Sequence, residues 1–291
     1  MAAIQANDHS DVLGKLWDAE QEILDTVDGF CRKHNLRYSL AYGTLLGAVR
    51  HKGFIPWDDD VDIMMPREDY EQFKRFWRQD APAGYILQDE EDENGFFNNF
   101  MKIRKDHTTF LQFEVERDLP LHKGIFVDVF PADKEAPGRL LKRVQRLDFL
   151  LCLLYNRGHS SKKSKPFSHF CEELLLKLVP RRKYRKVSVW FGRRGRRWNH
   201  LQSEGMIFPT TNWSCRHPYP GDLFDNLQKA EFRGKEYSIS GCADRYLTIQ
   251  YGDYMKLPPE NKRVWTHHPI ILDFNRNYEE LTEEEKRGQA S

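Results

Sequence analysis

Three scarcities narrow this 291-residue sequence before any motif is considered. Charge of one sign is not in excess: 45 Lys and Arg against 44 Asp and Glu leave a formal charge of +1. That balance excludes bulk attraction to nucleic acid or to a membrane and makes any electrostatic function local. Long hydrophobic runs are missing, and the longest wholly apolar stretch, Phe149 to Tyr155, falls far short of the ~20 residues of a spanning helix. Cysteine is sparse. Cys31, Cys152, Cys171, Cys215 and Cys242 are odd in number, scattered and without a CxxC pair, so they read as structural thiols and not as a disulfide framework or zinc knuckle. The opening MAAIQANDHSDVLGK has no basic segment leading into an apolar one, so no secretory signal is visible and a cytoplasmic location is expected.

What is present suits a soluble globular chain, with 40% hydrophobic, 13% aromatic and 31% charged residues and no repeat or low-complexity tract. Leu13, Leu16, Trp17, Ile23, Leu24, Val27, Phe30 and Cys31 recur at helical spacing, with Ser10 or Asp11 as cap and Lys33-His34-Asn35 as stop. Arg37 to Ala41 alternates like a strand and runs through Tyr42-Gly43-Thr44 into a second helix. A strand over Val61 to Met64 precedes a helix that Pro66 opens, and residues 80–95 read as an acidic surface loop. Further strands are expected at Phe100 to Arg104 and Gly124 to Phe130, ending at Pro131. Helices follow at about 137–157 and 167–179, then a strand near 228–239 and a helix near 241–250. The expected class is α/β.

Most of the chemistry lies between Gly43 and Asp62. On an extended chain Asp60 and Asp62 share a face, Asp58 can join them, and Asp59 faces opposite. Two unit charges about 4 Å apart repel by ~1 kcal/mol in water and ~4 kcal/mol at an effective dielectric of 20, so the group is costly unless a cation sits there. Carboxylate oxygens without nearby Cys or paired His favour Mg²⁺ or Mn²⁺ over zinc. The plainer alternative is a solvated acidic turn. Gly43 and Thr44 stand between strand and helix, where free amides and the helix dipole bind phosphate. Arg50, His51 and Lys52 are candidate phosphate partners, although cations also suit a helix C-terminus. Asp128, within GIFVDVFP, is an acid among apolar strand residues. It is either salt-bridged, to Lys102 or Arg104, or a third metal ligand.

A Gly-Thr turn, a helix, paired Asp on the next strand and a third Asp on a later one resemble the nucleotidyltransferase superfamily, with its polymerase-β-like core. More closely, LAYGTLLGAVRHKGFIPWDDDVDIMMPREDY resembles the LicD family of phosphocholine transferases of bacterial surface glycans, relatives of the fukutin-type proteins. MKIRK at 101–105, KGIFVDVFPAD at 123–133 and YLTIQYGDYMKLPP at 246–259 agree in order. The resemblance implies a mixed sheet flanked by helices with helical insertions. It also implies metal-dependent transfer of phosphocholine, or a similar phospho-alcohol, from CDP-choline or another CDP-alcohol to a sugar hydroxyl of a glycan or lipid-linked glycan in lipopolysaccharide, capsule or teichoic acid synthesis, releasing CMP. By the same matching, Asp60, Asp62 and Asp128 hold Mg²⁺ or Mn²⁺, with Asp58 a possible fourth. Gly43 and Thr44 contact donor phosphate, and Arg50, His51, Lys52, Lys102 and Arg104 are weaker candidates. Asp128 is the candidate base, with metal-assisted deprotonation and no dedicated base as the alternative. Trp57, Tyr85, Phe96, Phe97, Tyr155, Trp213 and Tyr219 are candidates for a choline cage. Tyr251-Gly252-Asp253-Tyr254 and His267-His268 either close the site or pack structurally.

The expected organisation is an N-terminal helical extension over 1–22, a LicD-like domain over 23–270 with a variable helical and basic insertion at 135–225, and a tail over 271–291. Residues 181–197 carry nine Lys or Arg and no acid. They read as a solvated helix face, as peripheral contact with the anionic inner face of the membrane, or as contact with an acidic polymer, and not as a nucleic-acid site. Two rival functions stay open: a nucleotidyltransferase moving a nucleotide to a small acceptor, and a catalytically silent nucleotide-sensing module.

Overall fold

The computed structural model describes residues 6–89, 98–113, 116–161, 165–211, 213–265 and 267–286. Helix α1 (Ala6–Lys33) buries Leu16, Ile23, Leu24 and Val27 on one stripe, as their spacing predicts, and runs unbroken through residues 22 and 23. Asn35, at φ 54°, ends its register in the left-handed region, and Leu36 N–H turns back to the Cys31 carbonyl at 2.9 Å. There follow β1 (Ser39–Leu40), α2 (Tyr42–His51), β2 (Asp62–Pro66), α3 (Arg67–Asp80), β3 (Tyr85–Gln88), β4 (Met101–Lys105), β5 (Thr109–Leu111) and β6 (Phe126–Lys134). Then come α4 (Arg139–Arg157), α5 (Pro166–Lys177), α6 (Tyr184–Gly195), β7 (Gly205–Ile207) and β8 (Tyr219–Pro220). The chain continues with β9 (Leu227–Phe232), β10 (Lys235–Ser240), α7 (Ala243–Tyr251), β11 (Ile271–Asp273) and α8 (Glu283–Lys286).

The central sheet runs β1-β2-β6-β4-β3, with β7 added to β6 and β8 to β7. Only β2 and β6 pair in parallel within it; the other ladders are antiparallel. The parallel pair is the core, and Ile63, Met65, Val127 and Val129 are fully buried. This is the mixed α/β architecture expected.

Two expectations need correction. Pro131 does not end β6, which continues to Lys134. Asp128 N–H points to Val61 O on the β2 side and Glu135 N–H to Gly205 O on the β7 side, so alternation turns the Pro131 nitrogen away from β2. There it faces the gap between the start of β4, where Met101 opposes Val129, and the end of β7, where Ile207 opposes Asp133. A missing N–H costs nothing in that gap. Nor is 80–95 simply a loop: β3 lies within it and pairs with β4 from Tyr85 to Gln88.

Helices α4, α5 and α6 form a layer beside the sheet, and the basic stretch becomes α6. Its Gly195 lies so close to Phe149 of α4 that a Cβ would meet the ring at 2.4 Å. Among the described residues no helix is long and apolar enough to cross a membrane.

The loop after α2 returns tightly over it. A Cβ on Gly47 would stand 2.4 Å from the carbonyl oxygen of Gly53. Because the obstacle is backbone, Gly47→Ala should lower the urea unfolding free energy by about 1–3 kcal/mol.

Candidate active site

Parallel pairing sets Asp62 of β2 opposite Asp128 of β6, and antiparallel pairing sets Lys102 of β4 opposite Asp128. Opposed residues share a face, so carboxylate, carboxylate and ammonium form one row across three strands. Lys102 Nζ donates to Asp128 Oδ1 at 2.6 Å and lies 3.3 Å from the centroid of the Phe126 ring. Of the two salt-bridge partners considered for Asp128, Lys102 is therefore the one used. Arg104 is held elsewhere: its Nε donates to Gln88 Oε1 and its Nη1 to the Gly124 carbonyl.

The turn 55–58 delivers the remaining acids. Asp58 N–H bonds to the Ile55 carbonyl, and Trp17 Nε1 of α1 donates to the Asp58 carbonyl at 2.8 Å. Asp58 Oδ2 lies where a Gly43 Cβ would approach to 2.3 Å, so glycine is required for the carboxylate to reach the start of α2. No side chain caps that helix start. Thr44, buried, accepts the Asp62 N–H on Oγ1 at 2.8 Å and so ties the helix to β2.

Asp59 is fully buried against a partner that it shares with Asp60. It accepts the His267 backbone N–H at 2.9 Å and faces the ring Nδ1 at 3.0 Å, while Nε2 of the same ring stands 3.7 Å from Asp60 Oδ2. Burial pulls His267 down, yet the Asp59 bond and the Asp60 charge outweigh it and its pKa is raised. Asp59, Asp60 and His267 bring one ligand atom each within 4.8 Å of one another. Among the described residues no other trio of acid, His or Cys does so, Asp60-Asp62-Asp128 included.

Electrostatically, however, the acids act on one another. Burial, then Asp60 and Asp128, holds Asp62 well above the usual carboxylate range. Burial, opposed by His267 and reinforced by Asp128, pushes Asp60 up to about 6. Burial, then Asp60 and Asp59, raises Asp58. Burial also pulls the Lys102 ammonium down, only partly offset by Asp128.

Sequence reasoning missed one member of this group. Glu20 of α1 is 2% exposed, and its Oε2 has no hydrogen-bond partner. Burial first, then Asp60, Asp59, Asp58 and Asp128 in turn, raises its pKa well above the ordinary value. The available signal was its position: Glu20 stands between Leu16 and Ile23-Leu24 on the buried stripe of α1, where an acid needs a reason. Tyr251, at the end of α7, joins from the C-terminal side; burial, then Asp62 and Asp58, raises its phenol.

Other expected residues are placed apart or tied down. Arg50 donates to His51 Nε2 and to the Tyr254 carbonyl, and Lys52 pairs with Glu231 of β9 at 3.4 Å. Among the cage candidates, Tyr219 and Tyr155 are buried, with Tyr155 Oη bonded to the Leu175 carbonyl. Tyr85 bonds Glu22, Trp213 stacks on His217, and Arg263 covers the Trp57 ring at 5.6 Å. Phe96 and Phe97 lie outside the described residues.

The fold is a mixed α/β domain whose sheet, flanked by helices, presents two carboxylates on its parallel pair, an arrangement consistent with a nucleotidyltransferase-like fold. Residues 35–151 match the family described as LicD/FKTN/FKRP, nucleotidyltransferase domain. Over 249 residues, 84% of this chain and 92% of the relative, the sequence is 28% identical to the lipopolysaccharide cholinephosphotransferase LicD of Haemophilus influenzae. Over 140 residues, 45% of this chain but 27% of the relative, it is 29% identical to the human ribitol 5-phosphate transferase FKRP.

Because Glu20 is buried among acids that disfavour its ionisation, with Oε2 unpartnered, Glu20→Gln should stabilise the metal-free protein. A gain of about 1 kcal/mol would raise the thermal midpoint by about 2–4 °C, measurable by calorimetry in the presence of chelator.

Proposed function

We propose that this protein is a metal-dependent transferase that moves phosphocholine, or a similar phospho-alcohol, from a CDP-linked donor to a sugar hydroxyl of a cell-surface glycan precursor, with release of CMP. The observation that carries the proposal is the row of Asp62, Asp128 and Lys102 across three paired strands, with the Asp58 carboxylate reaching the uncapped start of α2. The similarity to LicD along most of both chains supports the choice of phosphocholine, and the FKRP similarity keeps ribitol phosphate within the donor class.

The residues fit a hard divalent cation. All of the grouped acids offer carboxylate oxygen, Glu20 Oε2 is buried without a partner, and Asp58, Asp60 and Asp62 are raised by burial first and then by neighbouring acids, a repulsion that a cation would relieve. Asp60 and Asp62, with Asp128 and Asp58, are the proposed ligands of Mg²⁺ or Mn²⁺. Such an ion supplies charge neutralisation at a diphosphate and at the phosphoryl group being transferred. Asp59 orients His267, whose Nε2 faces Asp60 and fixes that carboxylate in turn. Gly43 and Thr44 offer backbone N–H groups at the α2 start to donor phosphate. Arg50 and Lys52, bound to Tyr254 and Glu231, serve that role less well than Lys102. Asp128 is the group proposed to take the acceptor hydroxyl proton, with Lys102 holding it in position.

The test is incubation of the purified protein with Mg²⁺ or Mn²⁺ and a panel of CDP-choline, CDP-ethanolamine, CDP-glycerol, CDP-ribitol and nucleotide sugars. CMP released from one CDP-alcohol supports the proposal and selects the donor. Pyrophosphate or a nucleotidylated acceptor supports nucleotidyl transfer instead, and metal-dependent donor binding without turnover, acceptor present, supports a sensing module. Asp60→Asn and Asp62→Asn should each lower transfer by at least about 10²-fold while circular dichroism stays unchanged. Full activity in either variant overturns the metal assignment.

A further inference from the structure

The apolar surface least explained by the fold lies on α5, far in sequence from the acids. Phe167, Phe170 and Leu174, with Leu178 at the helix end, are 78%, 65%, 50% and 70% exposed. At 100° per residue the four fall on one narrow stripe of the helix. A contiguous run of large apolar side chains open to water marks an interaction surface.

The charges around the stripe are of one sign. Lys165 precedes it, Lys177 lies beside it, and Arg181, Arg182 and Lys183 follow it, all exposed. The only acids between residues 158 and 197 are Glu172 and Glu173. Both turn inward: Glu172 Oε2 takes the Ser161 N–H at 2.7 Å and pairs with Arg157 at 3.3 Å, and Glu173 Oε1 takes the Ser160 hydroxyl. Between the end of α4 and the start of α6 lies a cleft of about 310 Å³ whose lining includes Arg157, Arg181, Arg182, Arg185, Tyr155 and Tyr184.

Within 181–197, by contrast, the C-terminal cations are engaged in the fold. Arg194 pairs with Asp148 of α4 and Arg196 with Glu71 of α3, while Ser188, Gly192 and Gly195 are buried. The basic stretch is therefore divided. Its first turn borders the apolar stripe, and its end anchors the helical layer to the rest of the protein.

We propose that α5 is an interfacial helix that seats this protein on an anionic phospholipid surface. Phe167, Phe170, Leu174 and Leu178 enter the acyl boundary, while Lys165, Lys177 and the Arg181-Arg182-Lys183 turn meet lipid phosphates, with the arginine-lined cleft open to a headgroup. Apolar insertion and basic attraction are the two contributions that interfacial helices combine. A second copy of the chain fits the surface less well, because self-pairing would set these cations against their equivalents with no outward acid to meet them. The inference does not depend on which phospho-alcohol is transferred.

The experiment is cosedimentation of the full chain with vesicles of phosphatidylcholine alone and of phosphatidylcholine mixed with phosphatidylglycerol, at low and raised salt. Binding should require the anionic lipid and fall as salt rises. Phe167→Ser/Phe170→Ser should weaken it about tenfold or more with no change in thermal midpoint, since both rings are exposed. Replacing Arg181, Arg182 and Lys183 by Gln should weaken it comparably and reduce its salt sensitivity. The proposal is overturned if the unaltered chain stays in the supernatant at low salt, or if the double Phe variant binds as the original does. It is also overturned if sedimentation velocity finds a self-associated species that the Phe substitutions abolish.

Discussion

Burying several negative charges in one place is the constraint on which this structure turns. Pairing β2 in parallel with β6 gives the core its continuous apolar layer and, in the same register, sets Asp62 beside Asp128. Neither carboxylate can move off without shifting a whole strand. The fold answers with what cations it has there, Lys102 on Asp128 and His267 between Asp59 and Asp60. It leaves Asp58, Asp60, Asp62 and Glu20 with raised affinities for protons. Mutual repulsion retained against stability is what a site arranged for a cation and a polyphosphate would require.

The family-matched segment does not hold this centre alone. Residues 35–151 carry the turn, the strand acids and Lys102. Glu20 and Trp17 come from α1 before it, and His267 and Tyr251 from the chain after it. Of the C-terminal residues read as either closing the site or packing, His267 packs against buried Asp59 and presents its other nitrogen to Asp60. Arg50 likewise belongs to packing, since it clamps α2 to the Tyr254 carbonyl.

The helical layer has a different logic. Its inner faces are tightly fitted, with Gly195 admitting Phe149 and Tyr155 bonded to α5, whereas its outer face shows aromatic and aliphatic side chains to solvent. A fold that buries Trp77, Tyr70 and Phe73 completely has no shortage of core. The exposed stripe on α5 thus reflects a surface with something to meet.

Much of this was legible in the order of residues. Helical period marked α1, α3, α4 and α5, and the spacing of Asp58, Asp60 and Asp62 together with the GTLLG turn marked the site, because local geometry alone decides which side chains share a face. What period could not supply were contacts between segments distant in the chain. Short strands such as β3, β7 and β11 exist only because a neighbour offers hydrogen bonds, and Pro131 is tolerated only because two partners of β6 leave a gap at its nitrogen. By itself the sequence determined the α/β class, the longer helices and the acids, since these rest on local period and on charge. Tertiary structure alone decided that Glu20 and His267 join those acids, that Lys102 rather than Arg104 pairs with Asp128, and that Lys52 turns to Glu231. Burial and pairing across more than a dozen residues depend on which surfaces pack, and no local pattern encodes that.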